Sequence, residues 1–218
     1  MTLRLLPFLF LLACASSLMS QTKLTADFSF PDGIYLSHAA VLAVQPDLGW
    51  EAINGEMVQL PEAYRVQIEG YQYKDATLDP GMMPYAIGLD GELYLFVQRN
   101  VARNFYEFTG LRLVGTLSTI AFDTVVTTRQ LMKAYNPANG YAFREAWVER
   151  EKNVVMHKVL HFPSGRLFRK EQESLMVSMS EDKELSQALR ELPEVTDEYL
   201  DRAVRLYNER YPTLLRPE

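Results

Sequence analysis

Cysteine is nearly absent from this chain: Cys14 is the single one in 218 residues. An intramolecular disulfide is therefore excluded, as is a zinc site built on paired cysteines. Histidine is scarce too, limited to His38, His157 and His161. No basic run is longer than Arg169-Lys170, and the formal net charge is −6. That balance excludes a general nucleic-acid binder, which needs a basic face to displace counterions. The sequence holds no P-loop, no Gly-x-Gly-x-x-Gly, no EF-hand loop and no Gly-x-Ser-x-Gly elbow. Nucleotide, calcium and elbow-serine chemistry thus have no local support, and no cofactor is expected. After residue 20 no stretch reaches 18 apolar residues. No transmembrane span is expected in a mature chain.

What is present points to a globular protein. Hydrophobic residues make 48% and charged residues 23%, which excludes wholesale disorder. A chain of this length buries roughly 70% of its unfolded surface, so it folds without a metal or disulfide. One domain is expected over 21–218.

Residues 1–20 have the order of a secretory signal. Arg4 supplies a positive start, Leu5 to Ala13 is almost wholly apolar, and small residues follow at Ala15, Ser16, Ser17 and Ser20. The apolar stretch is too short to span a bilayer as a helix. Cleavage between Ser20 and Gln21 is one reading. Cleavage after Ala15 fits the small-x-small rule better. A third reading is a lipobox, Leu11-Leu12-Ala13-Cys14, with Cys14 lipidated. Ordinary cleavage leaves a mature chain with no cysteine, and thiol catalysis is then excluded.

The mature chain divides by composition. Residues 21–143 carry 8 basic, 13 acidic and 17 aromatic residues; residues 144–218 carry 13, 15 and 6. Aromatic-rich, charge-poor sequence favours strands, and charge-rich sequence with apolar spacings of three and four favours solvated helices. Residues 21–165 are expected to be mainly β and 166–218 mainly α.

Two dipeptides mark hairpins, because they tolerate the positive φ of a two-residue turn. Asn54-Gly55 lies between Trp50–Ile53 and Glu56–Leu60; Asp90-Gly91 lies between Tyr85–Leu89 and Glu92–Val97. Tyr64 to Tyr73 reads as one strand whose parity switches at Gly70, either through a β-bulge or because the strand is simply two-sided. Further strands are expected at Gly33–Ser37, Phe105–Phe108, Leu111–Val114 and Ser118–Thr127, with a short helix capped by Ser37. Asn136-Pro-Ala-Asn-Gly140 reads as a loop. A last hairpin is expected to pair Phe143–Glu149 with Val154–Phe162 across Arg150–Asn153 and to end at Pro163-Ser-Gly165. Phe168, Gln172, Leu175, Met176 and Met179 share one helical face. Leu185, Ala188, Leu189 and Leu192 mark a second helix stopped by Pro193. Thr196 caps a third, with Asp197 and Glu198 in its first turn.

Few residues form a chemical constellation. His157 and His161 are four apart, but in a strand that spacing separates them by about 13 Å, too far for one ion. No metal site is expected. Glu145 and Glu149 share a strand face at the same separation, beyond the about 9.5 Å limit of a glycosidase pair. Ser37-His38 is only sequential, and Ser164-Gly165 reads as a turn. No catalytic residue is assigned. Tyr35, Trp50, Tyr71, Tyr73, Tyr85, Tyr94, Phe96, Phe105, Tyr106 and Phe108 read first as core and cross-strand pairs. The alternative is a face for sugars, lipids or protein.

Three segments together carry a resemblance: Asp32-Gly-Ile-Tyr-Leu-Ser37, the hairpin at Asp90-Gly91, and the ending Phe162-Pro-Ser-Gly165 with Arg205-Leu-Tyr-Asn-Glu-Arg210. The chain resembles a loose group of exported Bacteroidota proteins that open with Gly-Ile-Tyr-x-Ser and close with a helix bearing Tyr-Asn. The likeness covers most of the mature chain. It implies export from a bacterial envelope and sheet-then-helix order, and supplies no activity or site residue.

The expectation is an α+β fold: an antiparallel twisted sheet or partly closed barrel, then about three C-terminal helices. The expected function is a non-enzymatic binding or interaction module, exported to the periplasm or beyond, and outer-membrane-associated if Cys14 is lipidated. Its partner is an envelope protein or a small apolar or glycan ligand. The alternatives are a small hydrolase acting on envelope glycan, lipid or peptide, and a lipocalin-like carrier. The carrier lacks Gly-x-Trp, since Gly49 directly precedes Trp50.

Overall fold

The computed structural model describes residues 21–100 and 104–215. Cys14 and Ser20, the lipidation and cleavage candidates, lie outside these residues; Gln21 is the first described residue. In chain order the elements are β1 (Thr22–Lys23), β2 (Gly33–Tyr35), α1 (His38–Ala43), β3 (Ile53–Leu60), β4 (Arg65–Tyr73), β5 (Ala86–Leu89), β6 (Glu92–Asn100) and β7 (Phe105–Gly110). Then come β8 (Leu117–Tyr135), β9 (Ala142–His161), β10 (Arg166–Arg169), α2 (Gln172–Ser178), α3 (Lys183–Arg190), α4 (Asp197–Arg210) and β11 (Leu214–Leu215). The fold is α+β, with an antiparallel sheet first and most helices last.

Six strands form one sheet in the order β2-β5-β6-β7-β4-β3. Its central turn is Asp90-Gly91, with φ of 54° and 82°. Two successive positive φ values match the twist of the flanking strands, so Leu89 pairs directly with Glu92. Two faults curl the sheet. At Gly70, whose φ is +64°, β4 places two residues opposite Gly55 alone. Val66 and Ile68 are buried before that point and Tyr71 after it, so the bulge keeps the apolar side chains inward. A second register shift lies between Phe96 and Gln98 of β6.

Three buried clusters hold the layers together. One face of the sheet buries Ile34, Val66, Ile68, Ile87, Tyr106 and Phe108. The other buries Tyr35, Ala86 and Leu95 against Val41 of α1 and against Ile120, Phe122 and Leu160. Those last three come from the root of the β8–β9 hairpin. On its opposite face, Leu117 and Val159 pack with Leu175, Leu189, Leu200 and Val204 of α2, α3 and α4. The root is therefore a middle layer, apolar on both sides, between sheet and helices.

Caps and one amide fix the helices. Ser37 accepts from Ala40 N, Asp182 from Leu185 N and Thr196 from Tyr199 N, each satisfying an otherwise orphan first-turn donor. Asn208 of α4 docks as a strand would. Its Oδ1 accepts from Leu117 N at 2.8 Å, and its Nδ2 donates to Leu117 O at 2.9 Å. Tyr207 beside it is buried among the helices. Tyr-Asn thus joins α4 to the start of β8.

Four expectations are corrected. Asn54-Gly55 is not a turn but part of β3, preceded by a 3-10 turn at Trp50–Ala52. Strand β4 closes over Gly55, where a Cβ would stand 2.7 Å from Ile68 Cγ2. Leu111–Val114 is not a strand; it turns back, with Leu113 bridging Thr119. Phe168 lies in β10 and not in the first C-terminal helix, because Arg166–Arg169 pairs with β9. Arg150–Asn153 is not a turn. It lies within β9, and the reversal is at Asn136–Gly140, where Gly140 has φ +71°. Arg150-Glu-Lys-Asn holds neither Gly nor Pro to break a strand.

Candidate functional site

The reversal at Asn136–Gly140 makes β8 and β9 one long two-stranded arm. Strands β8 and β9 pair from Leu117↔His161 to Tyr135↔Ala142, with one register shift, between Ala134 and Tyr135. Only the root is covered. Among the described side chains from Asp123 to Val155, none is buried. Residues 124–135, at about 3.3 Å per residue, reach about 40 Å beyond the body. A lone two-stranded ribbon is marginal in water, because it has no apolar layer behind it.

The arm has two unlike faces, since opposed residues share a side and neighbours alternate. One face carries the pairs Thr127/Glu151, Arg129/Glu149, Leu131/Trp147 and Lys133/Glu145. Arg129 Nε lies 3.1 Å from Glu149 Oε1, and Lys133 Nζ 2.8 Å from Glu145 Oε1. The Glu145 contact holds the Lys133 ammonium above the usual lysine range. Between these ion pairs Trp147 is 67% exposed. The other face carries Val126, Thr128, Gln130 and Met132 opposite Lys152, Arg150, Val148 and Ala146. It is basic, with Arg144 added near the tip and no acidic residue among these pairs. Tyr135 and Tyr141 flank the tip and are exposed.

Beyond its buried root, ionic contacts hold the arm where it leaves the body. Arg65 of β4 donates to Glu107 of β7 and, from Nη1, to Asp123 Oδ2 at 2.8 Å. Gln98 Nε2 donates to Glu107 Oε2 at 2.7 Å and to the Asp123 carbonyl at 3.2 Å. Glu107 is buried, at 2% exposure. Its charge is tolerated because the guanidinium and the amide both reach it. These residues line a cleft of about 560 Å³ at the arm's root.

A second cleft, of about 620 Å³, lies between the end of β9 and the helices. His161 Nδ1 stands 2.7 Å from Ser164 Oγ in its wall, beside Arg166, Glu181 and Tyr211. Burial, and then Arg166, push the His161 pKa below the usual imidazole value. Ser164 closes a turn: Phe162–Ser164 is a 3-10 turn, and Gly165 follows at φ +69°. Among the described residues no carboxylate hydrogen-bonds the second ring nitrogen of His161.

The remaining candidates take ordinary places. His157 is partly buried on β9, and no described group of three or more His, Cys, Asp or Glu is placed to hold a metal. Glu145, Glu149 and Glu151 lie on the arm. His38 meets the Phe162 carbonyl at 2.7 Å. Tyr35, Tyr71, Tyr94, Tyr106 and Phe108 are core, with Tyr71 and Tyr106 stacked at 4.7 Å. Burial lifts the Tyr35 and Tyr94 hydroxyls to about 12. No helix among the described residues is long and apolar enough to cross a membrane. A turn at 150–153 does not pair Leu131 with Trp147; the reversal at 136–140 does. The loop signal at Asn136–Gly140 was the clue to their pairing. No known family, curated protein or solved structure matches this chain.

Proposed function

We propose that this is an exported, non-enzymatic interaction module of the cell envelope, and that the β8–β9 arm is its docking element. One observation carries the reading: the ribbon displays Leu131, Met132, Tyr135, Tyr141 and Trp147 where no described residue buries them. Exposed apolar side chains on a ribbon without a backing layer call for a cover. The signal-like residues 1–20 support the envelope location, periplasmic or extracellular, with membrane attachment through Cys14 as its lipidated form.

The test is a photocrosslinking residue placed at 147 and, separately, at Val177, an exposed site on α2. A discrete adduct in intact cells from 147, and none from 177, is expected. No adduct from 147 overturns the reading.

The hydrolase alternative draws on the Ser164–His161 contact, which lies within proton-transfer reach. Its test is labelling by a fluorophosphonate, lost in Ser164→Ala. The contact also spans only three positions of a turn, a local role that needs no substrate. The carrier alternative draws on the curled sheet. Its end strands, β2 and β3, are not neighbours in the hydrogen-bonded order. The arm reading rests on the larger unexplained surface and is preferred.

A further inference from the structure

The two faces of the arm differ in a way that selects an occupant. On the Trp147 face, β8 contributes the cations Arg129 and Lys133, while β9 contributes the anions Glu145, Glu149 and Glu151. Positive and negative charge thus run as two parallel rows, one per strand, with Leu131 and Trp147 between them. Consider two copies of this face packed together. If a two-fold axis runs along the arm, β8 of one copy lies over β9 of the other. Arg129 then meets Glu149, Lys133 meets Glu145, and Leu131 meets Trp147, each contact occurring twice. If the axis runs across the arm, β8 lies over β8 and like charges meet. The basic face gains no ion pair on itself: with β8 over β9 its cations Arg144, Arg150 and Lys152 meet only Ala134, Thr128 and Val126, and with β9 over β9 they meet one another.

We propose that the arm's occupant is a second copy of this chain, packed Trp147 face to Trp147 face with both arms pointing the same way. The proposal rests on the arm being a docking element. A two-fold contact is self-complementary and closes at two copies, so no open array results. A face about 40 Å long and about 10 Å wide covers on the order of 800 Å² over both copies. That falls below the roughly 1,200 Å² of standard stable interfaces, so the dimer is weak, reversible and weakened by salt.

Sedimentation of the purified mature protein across a concentration series tests this. The wild type is expected to pass from monomer to dimer, at higher concentration when salt is raised. Variant one, Arg129→Glu with Lys133→Glu, makes both rows negative. Variant two, Glu145→Lys with Glu149→Lys and Glu151→Lys, makes both positive. Each alone is expected to be monomeric, and an equimolar mixture to form a 1:1 heterodimer at least ten-fold tighter than either self-association. Trp147→Ser, which keeps every charge, is expected to weaken the wild-type dimer. A wild type monomeric up to about 1 mM overturns the proposal. So does a dimer that survives in both charge variants, a mixture that stays monomeric, or growth into open polymers. If the wild type is monomeric yet position 147 crosslinks to a different protein in cells, the self-pairing falls and the interaction module stands.

Discussion

Arg65 and Asp123 are 58 positions apart in the chain and 2.8 Å apart in the fold. Through this contact, and through Glu107 beneath it, the sheet grips the arm where it leaves the body. Replacing Arg65 with Met is expected to cost about 3–5 kcal/mol, because Glu107 is left buried without its cation. Changing Glu107 to Leu in the same protein is expected to recover much of that loss. Urea midpoints of the two single variants and the double variant measure the coupling.

Asn208→Ala removes both hydrogen bonds to the Leu117 backbone, and Leu117 is fully buried. Two buried main-chain groups lose their partners, at an expected cost of about 2–4 kcal/mol. Asn208→Asp keeps the acceptor and loses the donor, and is expected to fall between Ala and wild type. Chemical unfolding of the three proteins checks the order.

Stability is expected to depend on pH through His161. Burial and Arg166 lower its folded pKa below the ordinary 6.5. The unfolded chain therefore takes up a proton first as pH falls, and stability drops from about pH 6.5 down to the folded value. It is full above that window. His161→Gln is expected to flatten the profile there. Asp182 acts lower on the scale: the Leu185 amide and then Arg210 hold its carboxyl below the usual 3.8. Its contribution is present above 3.8 and is lost as pH falls through the folded value, a loss absent in Asp182→Asn. Thermal unfolding across pH 2–8 reads both windows.

Shortening the arm is expected to spare the body. Residues 126–152 contribute no described side chain to the three buried clusters. Joining 125 to 153 through Asn-Gly should change the unfolding free energy by no more than about 1 kcal/mol, the scale of changes away from core and caps. Self-association should vanish in the same protein. Circular dichroism and sedimentation together check this.

Local geometry was readable because it is decided within a few residues. Asp90-Gly91 supplies two positive φ values, and the turn forms as read. Gly70 shows its bulge as a parity switch from Val66 and Ile68 to Tyr71. The caps at Ser37 and Thr196 act as their side-chain oxygens imply. The candidate site was less legible. His161 and Ser164 carry no joint signal in the sequence, and their contact depends on how the chain leaves β9. Arg65, Gln98, Glu107 and Asp123 are scattered along the sequence and meet only through strand order.

The sequence alone left Gly70 open between a bulge and a two-sided strand, and it determined the α+β order, the Asp90-Gly91 turn and the caps at Ser37 and Thr196. Each follows from backbone preferences and apolar spacing that neighbouring residues impose. Tertiary structure decided the rest. Asn54-Gly55 carries a turn signal, yet pairing with β4 holds it in a strand, because long-range hydrogen bonds outweigh a local preference. Residues 118–128 are rich in Thr, Val and Ile, a strand composition that reads the same whether or not a layer lies behind the strand. Only the positions of the sheet and the helices make the root a buried middle layer and leave the remainder of β8 and β9 as an open arm.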